Sequence, residues 1–125
     1  MADLSGSWLG TYWQEENPTR FEATLLQTGN ALTGNILDDN YLGEASISGE
    51  VIGRRVSFTK RYLTRRQGSI YYTGTISEDE DFIQGQWEIG AIAWGTWEAR
   101  RSGQNLMADL QQRLAKELTL SAGKK

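Results

Sequence analysis

Alternation of apolar and polar residues along most of the chain is the feature that most restricts how it can fold. The clearest stretch is Phe82–Gly90, where the letters FIQGQWEIG place an apolar or small residue at every second position. A period of two sends successive side chains to opposite faces of a β-strand. The pattern therefore predicts strands with one apolar face and one wet face, as in an antiparallel sheet that is solvated on one side.

Turn residues divide this alternating region into successive strands. Thr28-Gly29-Asn30 predicts a hairpin and Ile52-Gly53 a tight turn. Such short connections make neighbouring strands antiparallel, because a parallel pair would need a long crossover. The predicted topology is an all-β meander of eight strands: Gly6–Trp13, Arg20–Thr28, Ala31–Leu37, Gly43–Val51, Arg54–Leu63, Ser69–Ser77, Phe82–Gly90 and Ile92–Arg100.

A glycine recurs on the predicted inward face of most strands. Glycine weakens a strand, so its repetition calls for a physical reason, and sharp coiling of the sheet supplies one. Eight coiled strands can close into an antiparallel up-and-down barrel whose interior holds side chains or one small ligand. The glycines concerned are Gly10, Gly34, Gly49, Gly74, Gly85 and Gly95.

After the strands the period becomes helical. Residues 1–103 form the predicted barrel, 104–118 one C-terminal α-helix and 119–125 a solvated tail, all within a single domain. We expect the helix to pack on the barrel or at an oligomer interface. Its apolar positions are Leu106, Met107, Leu110, Leu114 and Leu118.

Composition excludes several classes of protein. The net charge of −3 argues against a dedicated DNA-binding protein. The absence of cysteine and histidine removes thiol chemistry and the commonest metal and haem ligands. No metal site or cofactor is predicted, and the acidic stretches Asp38-Asp39 and Glu78–Asp81 are interpreted as solvated turns. No leader or membrane span is found, which predicts a cytoplasmic location.

Two short motifs carry a resemblance to a known group. The chain opens its strands with Gly6-Ser7-Trp8 and closes them with Arg100-Arg101. An eight-stranded meander with these ends resembles the calycin group of lipocalins, avidins and fatty-acid-binding proteins. The resemblance implies that Trp8 lies near the closed end of the barrel, with Arg100 or Arg101 packed across its ring, a cation–π contact. It also implies a ligand-binding interior, although the biotin-contacting groups of avidins do not map onto this chain.

The predicted ligand site is the barrel interior. Lys60 points inward between two aromatic residues, where it would act as counter-ion for an anionic group. The alternatives are that Lys60 extends out through the barrel mouth or that a bulge turns it outward. The remaining predicted site residues are Phe58, Tyr62, Tyr72, Trp87, Trp97, Phe21 and Gln27.

These residues favour a barrel that binds a small, largely apolar or aromatic and anionic molecule. One alternative is a non-catalytic scaffold or protein-interaction module with a packed interior. A second is a histidine-free isomerase or cyclase, for which no catalytic residue is assigned. Nucleic acid is not a predicted partner, whereas outward Trp13 and Trp94, with the C-terminal helix, predict a homodimer.

Overall fold

Eight antiparallel strands form a closed barrel in the computed structural model, which describes residues 3–40, 42–63 and 68–102. Each strand pairs with its neighbours in the chain, and the last pairs with the first. This confirms the predicted meander barrel, while the predicted C-terminal helix lies outside the described residues. The strands are β1 (Gly6–Gln14), β2 (Asn17–Thr28), β3 (Ala31–Asp38), β4 (Glu44–Ile52), β5 (Arg55–Tyr62), β6 (Ile70–Ile76), β7 (Phe82–Ile89) and β8 (Ala93–Arg101).

The pairing of β1 with β8 closes the barrel. Trp8 is opposite Arg101 and Tyr12 is opposite Trp97 in this ladder. On its other side β1 pairs with β2 along its whole length, from Gly6 to Gln14. The described sheet therefore has no unpaired edge, which removes the usual site of strand-to-strand aggregation.

The two ends of the barrel differ. At the closed end, where β1 begins and β8 ends, Leu4 of the N-terminal segment is fully buried. The other end, here called the mouth, carries the connections that follow β1, β3, β5 and β7. Along each strand the inward side chains are buried and most outward ones are exposed, as the alternation predicts.

Gly85 shows why small residues recur on the inward face. A Cβ atom added there would lie 1.8 Å from the Thr73 carbonyl oxygen of the adjacent strand. Gly95 serves a second purpose, because an added Cβ would lie 2.1 Å from the Trp13 carbonyl oxygen and 2.7 Å from the Trp87 ring. Glycine thus permits both close strand approach and the seating of a large ring against the backbone.

Among the residues that the structure describes, no helix has the length and apolar character needed to cross a bilayer.

Candidate functional site

The predicted aromatic wall fills the interior. Phe58 and Tyr72 stack with ring centroids 4.8 Å apart, and Trp97 meets them edge-on at 5.7 and 5.4 Å. A residual internal cavity measures about 20 Å³, room for about one water molecule. Phe21, Phe58, Tyr62, Tyr72, Trp87 and Trp97 are all buried.

The three buried indoles each donate a hydrogen bond to a backbone carbonyl. Trp8 Nε1 donates to Leu4 at 2.9 Å, Trp87 to Trp13 at 3.0 Å and Trp97 to Thr73 at 2.9 Å. Each ring is therefore fixed in orientation as well as packed, because a buried N–H left without an acceptor is costly.

Lys60 faces inward as predicted, but its charge is already paired. Its Nζ lies 2.8 and 3.0 Å from the two carboxylate oxygens of Asp38, and neither side chain has exposed surface. The Nζ atom also lies 4.8 Å from the centroids of the Tyr12 and Tyr62 rings. Asp38 thus already supplies a counter-ion for the Lys60 ammonium, and the predicted role of Lys60 as counter-ion for an anionic ligand stays a prediction.

Tyrosine hydroxyls complete this buried cluster. Tyr12 donates to Asp38 Oδ2 at 3.0 Å, Tyr62 donates to the same oxygen, and Asn40 donates to the Tyr12 hydroxyl at 3.2 Å. Burial raises the pKa of Tyr12 and Tyr62 above the ordinary value. For Lys60, burial lowers the pKa, and the facing carboxylate of Asp38 opposes that effect.

Asp38 is the main residue that sequence analysis missed. It was predicted to lie in a solvated turn, yet it is only 3% exposed and is the last residue of β3. The signal was present, since Leu32, Gly34 and Ile36 set an inward phase that Asp38 continues by one more step. An inward carboxylate at the end of β3 can pair with the inward ammonium of Lys60.

Gln27 lies apart from the aromatic wall. Its side-chain oxygen accepts a hydrogen bond from the Leu4 amide at 2.9 Å, and its backbone amide donates to Ser5 Oγ at 2.9 Å. Gln27 was predicted to line the ligand site opposite the aromatic wall, and that role stays a prediction. In the structure Gln27 holds the N-terminal segment at the closed end.

Arg101 closes the same end of the barrel. Its guanidinium lies 4.6 Å from the centroid of the Trp8 ring and donates to the carbonyl oxygens of Asp3, Ser5 and Glu80. The structure thus places Arg101 on Trp8, while Arg100 lies 4.7 Å from the Phe82 ring. The contact joins the first strand, the last strand and the N-terminal segment.

The large concave feature is on the outside of the barrel. A groove of about 840 Å³ runs over β8, β1, β2 and β3, within the usual size range of small-molecule sites. Its described lining is Leu9, Gly10, Thr11, Arg20, Phe21, Glu22, Leu37, Asp38, Asp39, Asn40, Gly43, Glu98, Ala99 and Arg100.

The groove combines two exposed leucines with charged groups of both signs. Strand pairing places Leu9, Glu22 and Leu37 in one row, because Leu9 is opposite Glu22 and Glu22 is opposite Leu37. Three carboxylates in the lining, those of Glu22, Asp39 and Glu98, have no ion pair within the described residues. Apart from Asp38, which is paired internally, the lining therefore holds three carboxylates and two guanidiniums.

A metal-binding arrangement is not among these features: in residues 3–40, 42–63 and 68–102, no three acidic side chains lie close enough together to hold an ion.

The fold and its groove define a closed eight-stranded meander barrel with a packed interior. No family model matches the chain, and no curated protein matches it. Among solved structures it is similar to a de novo designed fluorescence-activating β-barrel, with a TM-score of 0.59 and 16% identity over 82% of this chain and 100% of the designed one. This likeness supports the eight-stranded barrel fold and identifies no family.

Proposed function

We propose that this protein is a small-molecule-binding barrel whose site is the outer groove rather than the interior. The observation that carries the proposal is the contrast between two cavities: about 20 Å³ for the one among the inward side chains against about 840 Å³ for the groove. A ligand inside would have to displace rings that are stacked and hydrogen-bonded. A ligand in the groove would leave those interior rings in place.

The ligand class follows from the lining. Leu9 and Leu37 offer apolar surface to a ring or a short hydrocarbon body. Among the described lining residues, the carboxylates of Glu22, Asp39 and Glu98 outnumber the guanidiniums of Arg20 and Arg100, which favours a cationic group over the anionic one first predicted. We therefore infer a small amphiphile with an apolar body and an ammonium group.

A matched ligand series tests this inference. The full chain is labelled with ¹⁵N and titrated with 1-naphthylmethylamine, 1-naphthylmethanol and 1-naphthoate, which share one ring system and differ in charge. We expect the amine to bind most tightly and to shift the amides of Leu9, Glu22 and Leu37. Equal affinity for all three ligands, or preference for the naphthoate, would contradict the charge assignment.

Charge variants with a matched control locate the site. Glu22→Gln and Glu98→Gln should each weaken amine binding several-fold, because each removes a carboxylate from the lining. Glu50→Gln removes an exposed carboxylate from β4, outside the groove, and should leave binding unchanged. An equal effect of all three substitutions would point to general electrostatics instead of a site.

Binding inside the barrel is the second candidate, favoured by the aromatic lining of the interior and by the likeness to a designed fluorescence-activating barrel. The indole N–H resonances separate the two candidates. An interior ligand should shift those of Trp8, Trp87 and Trp97, whose rings are buried. A groove ligand should leave them nearly unchanged while the groove amides move.

A further inference from the structure

We propose that the groove selects a linear zwitterion, with its ammonium group on Glu22, its apolar body on Leu9 and a carboxylate on Arg100. This ligand class rests on the function proposed above and narrows it from an ammonium amphiphile to a molecule with opposite charges at its two ends. The register of β8, β1 and β2 and the contacts of the two charged side chains support it.

Strand pairing sets the three side chains in one row on the outer wall. Leu9 of β1 is opposite Arg100 of β8 on one side and opposite Glu22 of β2 on the other. Two strand spacings separate the ends of the row, so the Cα atoms of Arg100 and Glu22 are about 9–10 Å apart. From there the side chains diverge, because the outer face of a barrel is convex. The row therefore presents opposite charges too far apart for an α-amino acid, whose two charged groups share one carbon, to contact both.

Both charged groups at the ends of the row can accept a ligand. Glu22 and Arg100 are exposed, and neither forms an ion pair with another residue in the described part of the chain. The Arg100 guanidinium lies over the Phe82 ring, 4.7 Å from its centroid. A guanidinium carries five N–H donors in one plane, so it can bind a carboxylate through two of them while it contacts a ring.

Asp79 senses the charge of Arg100 without forming an ion pair with it. The hydrogen bond from Ser77 chiefly lowers the pKa of Asp79, and the charge of Arg100 is the smallest of the causes. Asp79 Oδ1 also accepts a hydrogen bond from the Asp81 amide at 3.0 Å, so this carboxylate is held within its own turn. Arg100 therefore keeps its N–H groups for a carboxylate of the ligand.

The neighbouring row of the groove has opposite charges too, but it suits a linear zwitterion less well. There Thr11 of β1 is opposite Glu98 of β8 and Arg20 of β2, so the middle of the row is polar. Arg20 also lies beside Asp39, whose backbone amide donates to the Arg20 carbonyl oxygen at 2.8 Å. The Asp39 carboxylate reduces the attraction of Arg20 for an anion, which leaves the row through Leu9 as the better site.

Three ligands of similar size test the charge pattern. The ¹⁵N-labelled full chain is titrated with 4-(aminomethyl)benzoate, which carries its ammonium and carboxylate at opposite ends of a ring. The comparison ligands are 4-methylbenzylamine, which lacks the carboxylate, and phenylalanine, whose two charged groups share one carbon. We expect 4-(aminomethyl)benzoate to bind about tenfold more tightly than either, because only it forms charge-assisted hydrogen bonds at both ends of the row. It should shift the amides of Leu9, Glu22 and Arg100.

Two charge variants with matched controls locate the two ends of the ligand. Arg100→Gln should weaken binding of 4-(aminomethyl)benzoate about tenfold and strengthen binding of 4-methylbenzylamine, because it removes both the attraction for the carboxylate and the repulsion of the ammonium. Glu22→Gln should weaken binding of both ligands. Arg55→Gln and Glu50→Gln remove exposed charges outside the groove and should change neither affinity. Equal losses for both ligands in Arg100→Gln would overturn the placement of the carboxylate on Arg100.

The same titrations separate the failure of the zwitterion from the failure of the groove as a site. If 4-methylbenzylamine and 4-(aminomethyl)benzoate shift the groove amides with equal affinity, the zwitterion is refuted and the proposed function stands. If neither ligand shifts these amides, both are refuted. Unchanged amide positions in β4, β5 and β6 of each variant show that the barrel is intact, so that a loss of binding in Arg100→Gln or Glu22→Gln reports on the groove and not on unfolding.

Discussion

Lys60 and Asp38 are joined inside the barrel without exposed surface, so each depends on the other for neutralisation. Removing one member of such a pair leaves a buried charge alone, which destabilises by about 3–5 kcal/mol. Asp38→Asn should therefore lower the free energy of unfolding by that amount, measured by urea denaturation. Asp39→Asn, next in sequence but exposed, should change it by no more than about 0.5 kcal/mol.

Replacing both partners separates the pair from the packing around it. The double variant Asp38→Leu with Lys60→Met keeps similar volumes and removes both charges, so it should be more stable than Asp38→Asn. A double variant as unstable as the single one would show that the tyrosine hydroxyls, left without their acceptor, dominate the loss.

The buried phenols predict how stability depends on alkaline pH. Burial raises the pKa of Tyr12, Tyr62 and Tyr72, so between the ordinary value of about 10 and the folded value the native state holds more protons than the unfolded chain. Their contribution is complete below about pH 10 and is lost as the pH rises further. Lys60, whose pKa is lowered, contributes in the opposite direction, but it is one group against three.

Tyrosinate absorption checks this sign. Of the five tyrosines in the chain, these three should ionise only as the barrel unfolds, giving absorption and circular dichroism transitions at the same pH. Tyr62→Phe should make the fall in stability with pH shallower. Ionisation of all five phenols while the fold persists would contradict the burial of the cluster.

At the scale of the strands, close approach at the inward glycines controls how tightly the sheet coils. Gly85→Ala would set a Cβ 1.8 Å from a carbonyl oxygen of β6, so the strands must separate, with a loss of about 1–3 kcal/mol or more. Gly68→Ala is the matched control, because an added Cβ there meets nothing within 4 Å. Thermal unfolding of both variants gives the comparison, and equal melting temperatures would refute the argument.

Alternation predicted the number of strands, their order and the facing of most inward residues, because the period of two along a strand depends only on local sequence. It missed the first residues of β2, from Asn17 onward, because Pro18 and two preceding glutamates have the composition of a loop. It also missed the burial of Asp38, since this residue pairs with Lys60, 22 residues further along the chain, and such a contact forms only in the tertiary structure. The outer groove could not be predicted, because it depends on where side chains from strands distant in sequence come to lie.

For the whole molecule, exposed apolar residues near the mouth predict self-association. Trp94 is 78% exposed and Ile92 is 90% exposed, whereas Trp13, on the same outer face, is half-buried. Such a patch is typical of an interface. We expect a homodimer at high micromolar concentration in sedimentation equilibrium, weakened by Trp94→Ser. A single species of the 14.0 kDa chain mass across that range would contradict it.

The junction of β1 with β8 has a consequence for the order in which the chain folds. The other ladders join strands that follow one another directly, so each can form as a local hairpin. The last ladder must bring Trp8 to Arg101 across most of the chain, and the entropy lost in closing so long a loop is repaid only when the ladder is complete. We therefore expect closure of the barrel to be the late and slow event in folding. Substitutions at Trp8 or Arg101 should speed unfolding far more than they slow the formation of the hairpins.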